Sequence, residues 1–256
     1  MGILNMTPDS FSDGGSHHNM DDVLRHVETM ISSGADIIDV GGESTRPGYS
    51  PVEISEEIRR TAGVIEEIKR RFDIPVSIDT VKAPVARAAL ESGADMVNDV
   101  WGLKADPDMA PLIAGRGVPC VLTHNREVPA GEGEFLRDVI DADIRSCLDI
   151  ARSAGIGDDQ IILDPGVGFG KTFKQNLMIL ADPSFMMPSP YPVLLGTSRK
   201  SVIGNALDLP VDERVEGTLV TTILAVQAGA LFVRVHDVKE NHRAVRMYES
   251  IMSAAE

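Results

Sequence analysis

The 256-residue sequence lacks an excess of positive charge and a long apolar run. Its 24 lysines and arginines against 39 acidic residues give a net charge of −15, which disfavours nucleic acid and anionic membranes as partners. The most apolar stretch, residues 218–235, is interrupted by Gln227, Gly229 and Arg234 and does not predict a membrane span. No basic segment precedes an apolar one near the first residue, so we expect a cytoplasmic protein.

Cysteine is scarce as well, with only Cys120 and Cys147 in the chain. The first lies in a predicted buried strand and the second in a predicted helix. Free thiols of this kind are common at core positions of cytosolic proteins, and we expect both to be buried and structural.

What the chain does contain is a regular alternation of short apolar segments and amphipathic helical patterns. Apolar residues recur at helical spacing, and glycine stands where helices should end, as in the two Ser-Gly-Ala-Asp segments at 33–36 and 92–95. Ser50 and Glu53 form a capping-box pattern, and Pro51 would then open a helix. The predicted strands are 2–6, 35–40, 75–79, 95–99, 118–123, 160–164, 192–196 and 231–236.

Eight strand–helix units in 256 residues match the count and length of an α/β (β/α)8 TIM barrel. No linker of glycine, serine or proline interrupts the pattern, so we predict a single domain, residues 1–256. A doubly wound open sheet is the main alternative. It would place distinctive residues after only two or three strands, around one switch point.

Polar residues instead follow nearly every predicted strand, where a barrel builds its active site. An aspartate after a strand is often only the cap of the next helix, and this reading is equally good for Asp99 and Asp237. The coincidence of so many polar strand ends favours a binding site for a ligand with several donors and acceptors. The residues at these ends are Asn5, Asp39, Asp79, Asn98, Asp99, Thr123, His124, Asp164, Thr197, Lys200, Arg234, His236 and Asp237.

The glycine-rich segment 164–172 does not fit a nucleotide-binding loop. Gly166 and Gly170 enclose three residues where the phosphate loop needs four, and Lys171 occupies the last glycine position of the dinucleotide pattern. We expect these glycines to let the backbone approach a flat ligand, with Phe169 as an apolar wall. The histidines lack the spacing of a hydrolytic zinc site, and His236 near Arg234 suggests a cationic pair for phosphate oxygens.

Two polar loops, residues 7–19 and 43–50, are predicted to be mobile lids that close over the reacting centre. The first exceeds the usual length of about 2–6 residues between a strand and a helix. Asp13 in this loop has two interpretations, an electrostatic role in catalysis or a residue that only shapes a glycine-rich turn.

Six motifs together resemble the dihydropteroate synthase family of pterin-binding barrels, and the resemblance extends from residue 2 to about residue 242. It implies a transferase of folate biosynthesis that joins 6-hydroxymethyl-7,8-dihydropterin diphosphate to p-aminobenzoate, releases pyrophosphate, uses Mg²⁺ and is a sulfonamide target. We also expect a homodimer. The motifs are residues 5–15, 42–48, 77–80, 164–171, 197–200 and 234–237.

The resemblance also implies roles for individual residues. The expected pterin-binding residues are Asp79, Asn98, Asp164, Lys200 and Arg234. The expected diphosphate-binding residues are Asn5, Arg46, Arg234 and His236, with Asn5 as the metal ligand. The expected p-aminobenzoate slot contains Phe11, Thr45, Pro47, Phe169, Lys200 and Ser201. The expected catalytic residues are Asp13, Asp79 and Lys200.

Two other functions stay open at the level of sequence. A pterin-binding methyltransferase that acts on methyltetrahydrofolate and a corrinoid would share the strand-end acids but would not need the 7–19 loop or Lys200. An inactive pterin-binding paralogue would lack residues such as Asn5 or His236, which are present. The segment 122–127, Leu-Thr-His-Asn-Arg-Glu, departs from the usual family pattern and could change the lining of the pterin pocket.

Overall fold

The computed structural model describes residues 1–6, 20–44, 51–185 and 190–254. Within these ranges, strands alternate with helices, and no helix is long and apolar enough to cross a membrane. The strands are β1 (Gly2–Asn5), β2 (Ile38–Gly41), β3 (Val76–Asp79), β4 (Met96–Asp99), β5 (Cys120–Thr123), β6 (Ile161–Asp164), β7 (Leu194–Leu195) and β8 (Phe232–Val233). The helices are α1 (Met20–Ser32), α2 (Ile54–Arg71), α3 (Ala83–Glu91), α4 (Met109–Arg116), α5 (Leu136–Ala154), α6 (Phe173–Ala181), α7 (Ser201–Leu207), α8 (Val215–Ala228) and α9 (Val238–Ser253).

The strands close into a parallel barrel. Strands β1 to β6 pair in chain order, and β7 pairs with β8. Single parallel bridges complete the circle, Leu163 to Val193 between β6 and β7 and Gly2 to Val235 between β8 and β1. The closed circle of strand pairs confirms the TIM barrel. It excludes the alternative of an open doubly wound sheet, in which each of the two edge strands would lack a neighbour on one side.

The core lies inside the barrel and between its strands and the surrounding helices. Val40 on β2, Ile78 on β3 and Leu122 on β5 are fully buried in it. Cys120 and Cys147 are free thiols, and both are buried as predicted. Gly34, Gly93 and Gly229 stand just after α1, α3 and α8 with φ of 99°, 104° and 96°, left-handed values that end a helix at little cost only for glycine.

The predicted start of α2 is wrong by one turn. The helix begins at Ile54 rather than Pro51, and its cap residue Glu53 makes no side-chain capping bond. Glu53 is extended, with φ −60° and ψ 141°, and the preceding Val52 is bound by distant residues. The Val52 N–H donates to Glu43 Oε2 at 2.7 Å, and the Val52 carbonyl accepts from Lys82 Nζ at 2.6 Å.

Candidate active site

The strand register brings the predicted polar residues to one end of the barrel. Asn5 pairs with Gly41, Gly41 with Asp79, and Asp79 with Asn98. Asp164 ends β6 opposite Thr123 of β5. Because parallel strands end on the same side, these side chains line the carboxyl-terminal mouth of the barrel. Gly41 adds no side chain, and a Cβ built there would lie 3.6 Å from Asp79 Oδ2 and 3.9 Å from Asn5 Oδ1.

A network of charges crosses this mouth and is centred on Arg234. Its Nε donates to Asp39 Oδ2 at 2.5 Å, and its Nη2 donates to Asp79 Oδ2 at 2.6 Å. Asn98 Nδ2 donates to the same oxygen of Asp39 at 3.2 Å. Asp39 thus orients both Arg234 and Asn98, two residues predicted to bind pterin.

Asp39 was noted in the sequence as a strand-end residue but was not assigned to the site. It lies two residues before the end of β2, in register with Ser77, and is fully buried. The available signal was physical: a carboxylate inside a strand requires a cation because burying an unpaired charge is costly. The sequence does not indicate that this cation is Arg234, which follows it by 195 residues.

The mouth contains buried polar atoms that the protein itself leaves unpaired. Within the described part of the chain, four buried side-chain atoms lack hydrogen-bond partners, and three belong to adjacent strands here: Asp39 Oδ1, Ser77 Oγ and Asp79 Oδ1. An unpaired buried acceptor costs about 1–3 kcal/mol, so such groups are rare in folded proteins without a functional reason. Two unpaired carboxylate oxygens on adjacent strands suit a ligand that brings N–H donors.

The same burial changes the proton affinities of the site. Burial raises the pKa of Asp79 to about 7, and the negative charge of Asp39 adds to this effect, while Arg234 opposes it. Burial also raises the pKa of Asp164, against the attraction of Lys200. Burial lowers the pKa of Lys200 to about 8 although Asp164 acts in the opposite direction. Carboxyl and ammonium groups that titrate near neutral pH are typical of functional sites.

Lys200 lies over the mouth from the β7 side. Its ammonium donates to the Val167 carbonyl and lies 4.1 Å from the centre of the Phe169 ring. The preceding residue, Arg199, has a φ of 58°, a left-handed conformation that is strained for a side chain of this kind. Its ion pair with Asp237, with Nε 3.0 Å from Oδ2, helps to hold this bend. Ser201 follows as the exposed first residue of α7.

The predicted phosphate corner lies beside β1 and β8. Asn5 Nδ2 is 3.5 Å from His236 Nε2, and His236 Nδ1 is 3.0 Å from Ser198 Oγ. Ser198 Oγ also accepts the backbone N–H of His236 at 3.1 Å. These contacts place Asn5 and His236 side by side. Ser198 is a further residue of this corner that the predicted site did not include.

The remaining strand-end acids are structural. Asp99 accepts the backbone N–H groups of Trp101 at 2.8 Å and Leu103 at 3.0 Å, and it shapes the turn after β4 rather than facing the mouth. Asp237 is the cap residue of α9 but makes no side-chain capping bond, because its carboxylate is engaged by Arg199. Both carboxylates are therefore used locally, but neither caps the next helix as the alternative interpretation held, since Asp108 is the cap residue of α4 and Asp237 makes no capping bond.

Five predicted site residues fall outside the residues that the structure describes: Phe11, Asp13, Thr45, Arg46 and Pro47. The predicted lids, apart from Glu43 and Ser44, fall outside them as well. Among the described residues, no three His, Cys, Asp or Glu side chains are grouped in a way that could hold a metal ion.

Comparison with known proteins points to one enzyme family. Residues 1–236 match the family model described as pterin binding enzyme. A dihydropteroate synthase from Clostridium beijerinckii is 54% identical over 253 residues, which cover 98% of this chain and 93% of that protein.

Solved structures of dihydropteroate synthases also resemble the structure of this chain over nearly its whole length. A dihydropteroate synthase from Clostridium difficile, crystallised with pteroic acid, has a TM-score of 0.93 and 48% identity over 98% of this chain and 95% of that one. The Xanthomonas albilineans enzyme with 4-aminobenzoic acid has a TM-score of 0.92 and 38% identity over 98% of this chain and 92% of that one.

Proposed function

Since this chain belongs to the pterin-binding enzyme family and is a transferase with the dihydropteroate synthase activity of folate biosynthesis, we propose how its barrel mouth carries out that reaction. The reaction forms a C–N bond between the pterin methylene and the amino group of p-aminobenzoate, and it breaks the C–O bond to the diphosphate. Pyrophosphate leaves with the bonding electrons, and the amine loses one proton.

The observation that carries the proposal is the buried carboxylate oxygen that lacks a partner at the mouth, Asp79 Oδ1. A pterin presents N–H donors along its edge, and Asp79 and Asp164 are the acceptors we assign to them. Asn98 completes this edge, and Lys200 donates to the pterin carbonyl oxygen and N5. Arg234 lies across the ring face, where its planar guanidinium can stack.

Electrostatics rather than covalent catalysis then lowers the barrier. As the C–O bond breaks, the methylene becomes cationic, and the electron-rich dihydropterin ring spreads that charge. The carboxylate of Asp79 stabilises the cation, and Asp13 of the 7–19 loop is proposed to do the same. Arg234, His236 and Arg46 hold the departing pyrophosphate by charge-assisted hydrogen bonds. The arylamine is already nucleophilic and needs little help from a base.

Asn5 would hold Mg²⁺ by supplying one of its oxygen ligands, and the diphosphate of the substrate would supply others. Mg²⁺ commonly takes one or two protein oxygens and fills its other positions with water and phosphate. With Nδ2 of Asn5 directed to His236, the amide oxygen Oδ1 is left on the Gly41 side of the mouth. When bound, the ion would neutralise charge on the diphosphate leaving group.

The p-aminobenzoate slot is proposed to lie beside Phe169, Lys200 and Ser201, with Phe11, Thr45 and Pro47 supplied by the two loops. Lys200 borders both substrates because its ammonium contacts the Phe169 ring and the Val167 carbonyl. A sulfonamide resembles p-aminobenzoate in shape and aryl amine, so it should compete for the same slot. Inhibition that is not competitive with p-aminobenzoate would place the slot elsewhere.

The deciding experiment measures pyrophosphate release with each substrate alone and with both together. Release that requires both supports the proposed reaction. Methyl transfer from methyltetrahydrofolate to a corrinoid, without pyrophosphate release, would support the methyltransferase alternative instead. As a test of the pocket, Asp164→Ala should weaken pterin binding at least about tenfold, because a buried donor of the ligand loses its partner. If the calorimetric affinity for pterin were unchanged in this variant, Asp164 would not be part of the pterin site.

We further propose a homodimer through the apolar outer face of α8 and its neighbours. Val220 and Leu224 on α8 are 61% and 38% exposed, and Leu207 at the end of α7 is 49% exposed. Large apolar side chains grouped on a surface indicate a contact site, and a second copy can cover the same face by twofold symmetry. Val220→Glu should yield monomers in sedimentation, and an unchanged sedimentation coefficient would contradict this interface.

A further inference from the structure

A buried chain of three polar side chains, Lys171, His124 and Asp143, links the loops after β5 and β6 and has no place in the proposed mechanism. Lys171 Nζ lies 2.7 Å from His124 Nδ1, and His124 Nε2 lies 2.9 Å from Asp143 Oδ2. The same ammonium donates to the carbonyls of Gly166 at 2.8 Å and Phe169 at 2.9 Å. His124 is 1% exposed, while Asp143 is 30% exposed at the outer end of the chain.

When Lys171 is protonated, the hydrogen bonds define one arrangement of protons, and burial lowers the pKa of Lys171 to about 7. An ammonium has three N–H donors and no acceptor, so His124 Nδ1 accepts from protonated Lys171. The other ring nitrogen then carries the proton and donates to Asp143. Burial, with the nearby charge of Lys171, lowers the pKa of His124 to about 4, which agrees with a neutral ring. His124 therefore transmits the orientation of Asp143 to the ammonium.

The loop that Lys171 holds is packed on its neighbour with no room for a side chain. A Cβ at Gly166 would lie 1.9 Å from the His124 carbonyl oxygen, and one at Gly170 would lie 2.0 Å from the Arg126 carbonyl oxygen. Both glycines have positive φ, 71° and 54°. The turn 166–170 is thus fixed by direct backbone contact and by the Lys171 ammonium, which donates to two of its carbonyls.

This turn supplies the contacts of Lys200. The Val167 carbonyl accepts from the Lys200 ammonium, the Phe169 ring lies under it at 4.1 Å, and a Cβ at Gly168 would meet Lys200 Cδ at 3.0 Å. Asp164, at the start of the same turn, uses Oδ1 to accept the Gly166 N–H at 2.7 Å. Two groups assigned to the pterin are therefore placed by the 166–170 turn.

We propose that Lys171, oriented by His124 and Asp143, is a positioning residue for pterin binding: it fixes the 166–170 turn so that Asp164 and Lys200 face the ring. The proposal rests on the pterin pocket described above. It assigns a role to the lysine of the glycine-rich segment 164–172 and to the histidine of the unusual 122–127 segment. Neither residue needs to touch the substrate.

The test compares Lys171→Met with Lys174→Met, an exposed lysine of α6 three positions later that serves as the matched control. Lys171→Met keeps an unbranched side chain but removes the donors to Gly166 and Phe169. We expect the pterin KM to rise about tenfold, with kcat changed less than about threefold, because ground-state alignment rather than the chemical step is affected. Lys174→Met should match the wild type in both constants.

Asp143→Asn keeps the proposal testable if Lys171→Met does not fold, since Asp143 lies at the partly exposed end of the chain. It should raise the pterin KM by a smaller factor, about threefold, and change the ¹⁵N shifts of the His124 ring, which report its tautomer. A pterin KM equal to that of Lys174→Met in every folded variant would overturn the proposal, even if thermal stability fell.

Calorimetry with 6-hydroxymethyl-7,8-dihydropterin diphosphate separates this inference from the function on which it rests. No binding by the wild-type protein would overturn the proposed pterin pocket and this inference with it. Wild-type binding, with equal affinity in Lys171→Met, would overturn the positioning role alone. Wild-type binding that weakens about tenfold in Lys171→Met is the expected result.

Discussion

Two clusters near the carboxyl end of the barrel each hold a cation between two carboxylates, and they differ in how completely their atoms are paired. In the Lys82 cluster, the ammonium donates to Glu43 Oε2 at 2.6 Å, Glu57 Oε2 at 2.7 Å and the Val52 carbonyl at 2.6 Å. The second oxygen of Glu57 accepts from Thr80 Oγ1 at 2.7 Å. All three N–H donors of the Lys82 ammonium are thus paired within the protein, and the ammonium has no donor left for a ligand.

In the Arg234 cluster, Asp39 and Asp79 each bind the guanidinium through one oxygen and leave the other oxygen buried without a partner. Both clusters lie beside β3, and Thr80 of the first directly follows Asp79 of the second. The difference indicates that a structural ion cluster is distinguished from a binding site by whether its polar atoms all have hydrogen-bond partners, more than by burial or charge. The predictions below test this distinction.

The largest effect on stability is expected from Lys82→Met. Glu57 is 1% exposed, and removing its cation leaves a buried carboxylate without a charge partner. Breaking such a pair typically costs about 3–5 kcal/mol in free energy of unfolding. Urea denaturation should show this loss, while calorimetry should show nearly unchanged pterin affinity in the folded protein.

Lys69→Met is the matched control for that variant. Lys69 donates to Asp95 Oδ2 at 2.9 Å, but this pair is 30% and 45% exposed. An exposed ion pair contributes about 0–1 kcal/mol, so this change should be small. Equal losses in the two variants would remove the distinction between the Lys82 cluster and an ordinary surface pair.

Asp79→Asn should show the opposite of the Lys82→Met pattern. Turnover should fall about a hundredfold, and the fold should be retained. The substitution preserves shape but removes the negative charge that we assign to the cationic methylene. Because burial raises the pKa of Asp79, the charged form is costly to the folded state, and a neutral amide adds no such cost. Pyrophosphate release measures the turnover, and urea denaturation measures the stability. Normal turnover together with a large loss of stability would make Asp79 structural.

Asp39→Asn should weaken pterin binding by about tenfold, since Arg234 and Asn98 both lose a charged acceptor. Asp36→Asn is the control, because Asp36 lies exposed just before β2 and should have little effect. Calorimetric titration with the pterin diphosphate measures both affinities. Equal affinity in the two variants would mean that Asp39 does not organise the site.

The sequence predicted which residues stand at strand ends, and that was sufficient for the barrel and for the meeting of Asn5, Asp79, Asn98 and Asp164. It did not predict the bonds that cross the barrel, because Arg234 meets Asp79 at a separation of 155 residues and no local pattern encodes that pairing. The start of α2 was wrong for the same reason. The local signal at Ser50 and Glu53 was overridden by the distant Lys82, which binds the Val52 carbonyl just before the helix.

The smallest effect concerns the pH dependence of kcat/KM, which reports the ionisation of the free enzyme. Burial raises the pKa of Asp79 to about 7, and Asp79 must be ionised to stabilise the cation, so kcat/KM should rise as pH increases through 7. Burial lowers the pKa of Lys200 to about 8, and its proton is needed for donation, so kcat/KM should fall above 8. The profile should therefore be a narrow bell with its maximum between these values.

Substitution can assign the two limbs of that bell. Asp79→Asn should remove the acidic limb from its residual activity. Asp39→Asn should move the limb to lower pH, because Asp39 raises the pKa of Asp79 and also shares Arg234 with it. Asp36→Asn should leave the profile in place. A limb that moves to higher pH in Asp39→Asn would contradict the coupling of the two carboxylates through Arg234, and with it the view that their unpaired oxygens form one ligand-binding unit.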